Sequence, residues 1–89
     1  MKIFNDLKPG DTLYWYTRDA IVRGIVIKTE RLPANMKNEI LVITCLNSIG
    51  TKVSFFIYPQ DQHSSTYIGS AMIISTTVDN IIKHLNENF

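Results

Sequence analysis

Leu7–Glu30, LKPGDTLYWYTRDAIVRGIVIKTE, is the stretch whose reading decides the fold. Lys8-Pro9-Gly10-Asp11 reads as a turn that punctuates the chain before the first strand. Thr12 to Thr17 and Ala20 to Glu30 then gather Thr, Ile, Val and aromatic residues, which favour a pleated, half-buried surface. The short Arg18-Asp19 link between them predicts a β-hairpin. In an alternating strand Leu13 and Trp15 share one face and Tyr14 and Tyr16 the other. Leu13 with Trp15 is the larger apolar pair and is assigned inward, leaving Tyr14 and Tyr16 on the outer face near Arg23. Gly24, inside the long second strand, predicts a bulge or coil that lets the strand bend. Beyond it, Ile25 and Ile27 point one way and Val26 the other.

Working outward, turn residues at Leu32 to Asn35, Asn47 to Gly50 and Pro59 to Ser65 separate further strand-length segments. Strands are expected at Glu39 to Leu46, Thr51 to Tyr58 and Tyr67 to Ser75, the first two joined as a hairpin. The period changes at the end of the chain, where Val78, Ile81, Ile82, Leu85 and Phe89 fall on one helical stripe. Thr76 or Thr77 can serve as N-cap, and Asp79 suits the positive end of the helix. The expected architecture is mainly β: five strands in a small barrel with a short C-terminal α-helix, about 77–88. That helix either packs on the sheet or plugs one end of the barrel.

Composition bounds the function. With 89 residues the chain is expected to form a single domain over 1–89. Hydrophobic residues at 45% and charged ones at 19% exclude the disordered class. Nine basic residues against eight acidic ones leave a net charge of +1, so no global field draws nucleic acid or an anionic membrane. Cys45 is the single cysteine, which rules out an internal disulfide and any multi-thiolate metal site. The opening MKIFND lacks the apolar core of a secretory signal, and no apolar run approaches the roughly 20 residues that span a bilayer. These features predict a soluble, cytoplasmic protein without membrane contact.

The Lys-Pro-Gly-Asp turn before the first strand, the long glycine-containing second strand and the two strands after it resemble the opening of SH3-like barrels, the group that includes KOW and Tudor-type domains. The closing stretch YIGSAMIISTTVDNIIKHL is similar to the end of short uncharacterised bacterial and phage proteins, in which a strand ending in Thr or Ser runs into a terminal helix. The resemblance implies an SH3-like barrel and, for a KOW-like member, RNA binding.

Catalytic constellations are thin. Asp61, His63, Ser64 and Ser65 supply suitable residue types, but as near neighbours in a polar loop they point in different directions, and the loop is expected to be solvated. Cys45, within ILVITCL, reads as a small buried hydrophobe. Neither His63 nor His84 has a second metal ligand at helical or hairpin spacing, and His84 is expected to be solvated near the helix C-terminus. The glycines at 10, 24, 50 and 69 are too far apart for a phosphate loop. No enzyme, metal or cofactor is expected.

Binding is the stronger reading. Arg18, Arg23, Lys28, Arg31 and Lys37 against Asp19 and Glu30 make a locally basic region, and Tyr14 and Tyr16 could stack bases beside it. In the fourth strand Val53, Phe55 and Ile57 point one way and Phe56 and Tyr58 the other, while the third is apolar on both faces, with Ile40, Val42 and Leu46 opposite Leu41, Ile43 and Cys45. A barrel buries its inside, and one short helix covers only part of the outside, so apolar surface is left for a partner. The expected function is a non-enzymatic interaction module that binds protein or itself, as a homodimer. Its candidate binding residues are Tyr14, Tyr16, Arg23, Lys28, Phe56 and Tyr58. The alternative is a nucleic-acid-binding protein, for single-stranded RNA or DNA, using Tyr14, Tyr16, Arg23 and Lys28.

Overall fold

The hairpin expected at Arg18-Asp19 forms with both residues at positive φ, 53° and 70°, the geometry of a type I′ turn. It joins β1 (Thr12–Thr17) to β2 (Ala20–Pro33), and the chain continues through β3 (Glu39–Asn47), β4 (Lys52–Ile57), β5 (Thr66–Ile68) and β6 (Ile73–Ser75) to α1 (Val78–Asn88). A computed structural model describes residues 1–33 and 39–88, the side chain of Asn88 excepted. The expected turn residues Ala34 and Asn35, the basic Lys37 and the helical-stripe residue Phe89 lie outside the described residues.

The six strands form one antiparallel sheet in the order β4-β3-β2-β1-β6-β5. It curls into a half-barrel, so the mainly β class with a C-terminal helix holds, with six strands in place of the expected five. The extra strand arises because the segment read as Tyr67 to Ser75 folds back on itself. Gly69 N–H donates to Met72 O at 2.8 Å, and Ile68 pairs with Ile73 across the resulting tight turn.

The opening turn is built as its sequence suggests. Asp11 N–H donates to Lys8 O, Gly10 takes a φ of 99°, and Lys8 N–H donates back to the Asp11 carboxylate at 2.8 Å. Two backbone bonds, Gly10 N–H to Val26 O and Val26 N–H to Asp11 O, then stitch this turn to the middle of β2.

The bend of β2 does not fall at Gly24. The register with β3 slips between Val26 and Lys28, so Ile27 is the extra residue. Gly24 instead continues the ladder opposite Leu13 and Asn47, and its missing side chain makes room for the ring of Trp15.

Leu13 and Trp15 point inward, as expected, into a core with Val26, Leu41, Ile43, Cys45, Phe55, Ile57 and Ile74. Trp15 and Phe55 meet at its centre with ring centroids 4.9 Å apart and planes tilted by 58°. The core is closed by the N-terminal segment, whose 3-10 helix Phe4–Asp6 buries Phe4, followed by the buried Leu7. Phe4 N–H donates to Ser64 O and Asn5 N–H to Gln62 O, which ties this plug to the loop after β4.

Of the two placements expected for α1, packing on the sheet is the one adopted. The helix lies on the outer face over β1 and β6 and forms a second, smaller apolar layer with the buried Ile73 and Ile81. A hydroxyl cluster fixes its start: Asn80 Nδ2 donates to Thr66 Oγ1 at 2.9 Å and to Ser65 Oγ at 3.2 Å. Thr66 Oγ1 lies 2.9 Å from the fully buried Ser75 Oγ. Thr77 is the N-cap, its Oγ1 accepting the Asn80 N–H.

Candidate functional site

The strand register divides the six candidate binding residues between two places. Tyr14 and Arg23 are direct cross-strand partners on the outer face, with Ser75 on the other side of Tyr14. Tyr16 sits one step along, flanked by Ile21 and Ile73. Both tyrosines are half-buried, because α1 covers this end of the face. Tyr16 shares a pocket of about 210 Å³ with Ile73, His84 and Leu85. His84 is thus half-buried against the sheet, a correction to the solvated position expected for it.

Phe56 and Tyr58 lie at the opposite end of the sheet, on β4 and just after it, with 55% and 50% of their surfaces exposed. Lys28 stands between the two groups, in one row with Thr44 and Ser54, whose hydroxyls are 2.9 Å apart. Its ammonium is 3.2 Å from Glu30, an exposed ion pair that neutralises much of the local charge. Arg31 pairs with the buried Leu41, on the other side of the sheet from Arg23 and Lys28, and donates to Asn5 Oδ1. The basic residues therefore do not share one surface.

Between the two groups lies a feature that strand-by-strand reading missed. Ile21, Ile25 and Leu46 stand together on the outer face, Ile25 directly opposite Leu46, and with Arg23 and Asn47 they line an open groove of about 310 Å³. Each of the three leaves more than a third of its surface exposed. Only the pairing of β2 with β3 brings Leu46 to Ile25, and that register depends on the slip at Ile27. Further along the same face Val42 is flanked by Glu30 and Phe56.

The loop after β4 is not simply solvated. Gln62 is buried, and its side-chain amide donates to Glu39 O at 2.8 Å and Ile57 O at 3.0 Å, strapping the ends of β3 and β4 together. The Ser64 hydroxyl donates to Thr66 O, while His63 is exposed. Ser64 thus stabilises a turn. Among the described residues, no three His, Cys, Asp or Glu side chains stand close enough to hold a metal ion.

Among the described residues, two titratable groups are displaced. Asp11 accepts from Lys2 Nζ at 2.7 Å and from Lys8 N–H, and these bonds hold its carboxyl below the ordinary range. Burial pushes the Cys45 thiol up to about 11, so it stays protonated and unreactive. No helix among the described residues is long and apolar enough to cross a membrane.

Comparison with protein-family models, curated proteins and solved structures returns no match for the chain.

Proposed function

We propose that this chain is a non-enzymatic interaction module of SH3-like type, which binds protein, itself included, through the outer face of its sheet. The observation that carries the reading is the uncovered apolar surface on that face. Ile21, Ile25 and Leu46 form one part and Phe56 the other, while α1 packs over β1 and β6. Apolar surface grouped by strand register, and not scattered singly, is the usual mark of a docking site. The opening turn, the bent β2 and the meander from β1 to β4 support the SH3-like comparison. The reading needs no chemistry from the loop at Asp61 to Ser65.

The nucleic-acid alternative draws support from the Tyr14–Arg23 pair. It is weaker because Tyr14 and Tyr16 turn toward the helix, where bases have little room to stack, and because Lys28 is engaged by Glu30. Salt separates the two readings. Phosphate binding releases counterions and falls steeply between about 50 and 200 mM salt, whereas apolar docking barely responds. The test is anisotropy of labelled single-stranded RNA titrated with the protein at both salts, with light scattering on the same samples. Association of the protein that is indifferent to salt, with little RNA binding, is the expected result. Tight RNA binding that collapses with salt would replace this reading with the alternative.

A further inference from the structure

The sheet ends at β4 on one side and β5 on the other. The two edges differ in how they are guarded. β5 spans Thr66–Ile68 and is too short to template another strand. β4, Lys52–Ile57, has the sequence KVSFFI, with no proline, glycine or bulge and a single charge at its first position. None of the usual devices against edge pairing guards its middle.

The hairpin before β4 fixes which of its backbone groups face outward. Asn47 N–H donates to Thr51 O at 3.0 Å, which makes that a hydrogen-bonded pair. Antiparallel ladders alternate, so the next pair, Leu46 with Lys52, is non-hydrogen-bonded, as are Thr44 with Ser54 and Val42 with Phe56. The N–H and C=O of Lys52, Ser54 and Phe56 therefore point away from β3. Among the described residues no strand pairs with them.

We propose that β4 is a two-fold contact between two copies of this chain, in which Ser54 faces Ser54 of the second copy and Lys52 faces Phe56. This rests on the reading of the chain as a self-binding module and adds the β4 edge, next to the exposed Phe56, to the outer face as a contact surface. In a two-fold antiparallel pairing centred on Ser54, each outward-facing residue meets another outward-facing residue, and all their backbone groups are satisfied. Shifting the centre to Lys52 sets two lysines against each other, and shifting it to Phe56 leaves Lys52 and Ser54 unpaired. In the Ser54 register the exposed Lys52 ammonium lies beside the exposed Phe56 ring at both ends, an attractive cation–π arrangement. The contact is isologous and closes at two copies. A single edge strand buries less than the roughly 1,600 Å² of a standard interface, so the dimer is weak and its mass depends on concentration.

The test compares variants by sedimentation velocity across a concentration series. Ser54→Pro removes one outward N–H and leaves the β3 ladder intact, because edge proline is tolerated where the N–H faces away. It should retain the fold by circular dichroism and weaken the dimer by roughly tenfold or more. Phe56→Lys sets lysine against Lys52 and should also dissociate the dimer, whereas Phe56→Glu, equally polar, offers Lys52 an opposite charge and should keep it. That contrast needs no backbone change and still decides if Ser54→Pro unfolds. Mild oxidation of Ser54→Cys should yield a covalent dimer, since hydrogen-bonded partners lie about 5.5 Å apart at Cα, within disulfide reach. The buried Cys45 does not interfere.

A dimer unaffected by Ser54→Pro and Phe56→Lys but dissolved by Ile25→Lys overturns the edge contact and leaves the interaction-module reading in place. A monomer at every concentration also overturns the edge contact. Joined to salt-sensitive RNA binding, that result removes the module reading as well.

Discussion

The ring of Trp15 occupies the space that a side chain at Gly24 would need. A Cβ built on Gly24 would lie 2.6 Å from Trp15 Cη2 and 2.7 Å from Cζ3, closer than real carbon atoms approach. Both atoms belong to the benzo ring of the indole. The glycine is thus required by a neighbour across the hairpin, and the bend of β2 lies elsewhere.

Gly24→Ala should accordingly destabilise the fold by about 1–3 kcal/mol through overpacking. A Gly24→Ala/Trp15→Phe double variant should cost less than the two single changes added together, since phenylalanine lacks the atoms that clash. Urea unfolding followed by circular dichroism measures both. Strict additivity would show that the ring does not depend on the glycine.

The Arg18-Asp19 turn holds two non-glycine residues at positive φ. Such a conformation costs an ordinary side chain about 1–2 kcal/mol, and Asn-Gly is the pair best suited to it. Replacing Arg18-Asp19 by Asn-Gly should raise stability by about 1 kcal/mol, read as a higher urea midpoint. An unchanged or lower midpoint would contradict the turn geometry.

Gln62 is expected to matter more than its neighbours in DQHSS. Gln62→Ala strips one buried and one part-buried carbonyl of their side-chain donor and should cost about 1–3 kcal/mol. His63→Ala, at an exposed position, should fall within about 0.5 kcal/mol of the parent. Parallel thermal melts distinguish them, and equal effects would refute the strap.

Asp11 gives the stability a pH dependence of definite sign. Its folded-state carboxyl titrates below the ordinary range, held there first by Lys2 and then by the Lys8 N–H. Its contribution is therefore complete above about pH 4 and is lost as the pH falls through the lower folded value. The stability difference between the parent and Asp11→Asn should be largest near neutrality and should shrink below about pH 4. A difference that grew on acidification would reverse the assignment.

How far the sequence could be read depended on the range of the interactions involved. The inward pair Leu13 and Trp15, the two hairpins and the terminal helix follow from local alternation and turn chemistry, and all are present. The split of the last strand was also local, since Gly69-Ser70 is a turn signal inside an apolar run, but the run obscured it. Gln62 carried no such signal. It lies within a polar loop, and one of the carbonyls it straps belongs to Glu39, 23 residues away. The position of α1 over Tyr14 and Tyr16 likewise depends on β6 pairing with β1, which periodicity does not specify. The candidate site shows the same division: exposure of Phe56 and Tyr58 was legible from alternation, whereas the Ile21–Ile25–Leu46 groove exists only in the folded register.

The measurement that bears most directly on the interaction-module account is the solution mass of the unmodified protein by sedimentation equilibrium, from about 5 to 500 µM, where a weak contact becomes populated. The account predicts a mass that rises from 10.2 kDa toward twice that value, with the same midpoint at low and moderate salt. A mass fixed at 10.2 kDa over the whole range would contradict self-association, and a midpoint that shifts strongly with salt would contradict its apolar, hydrogen-bonded basis.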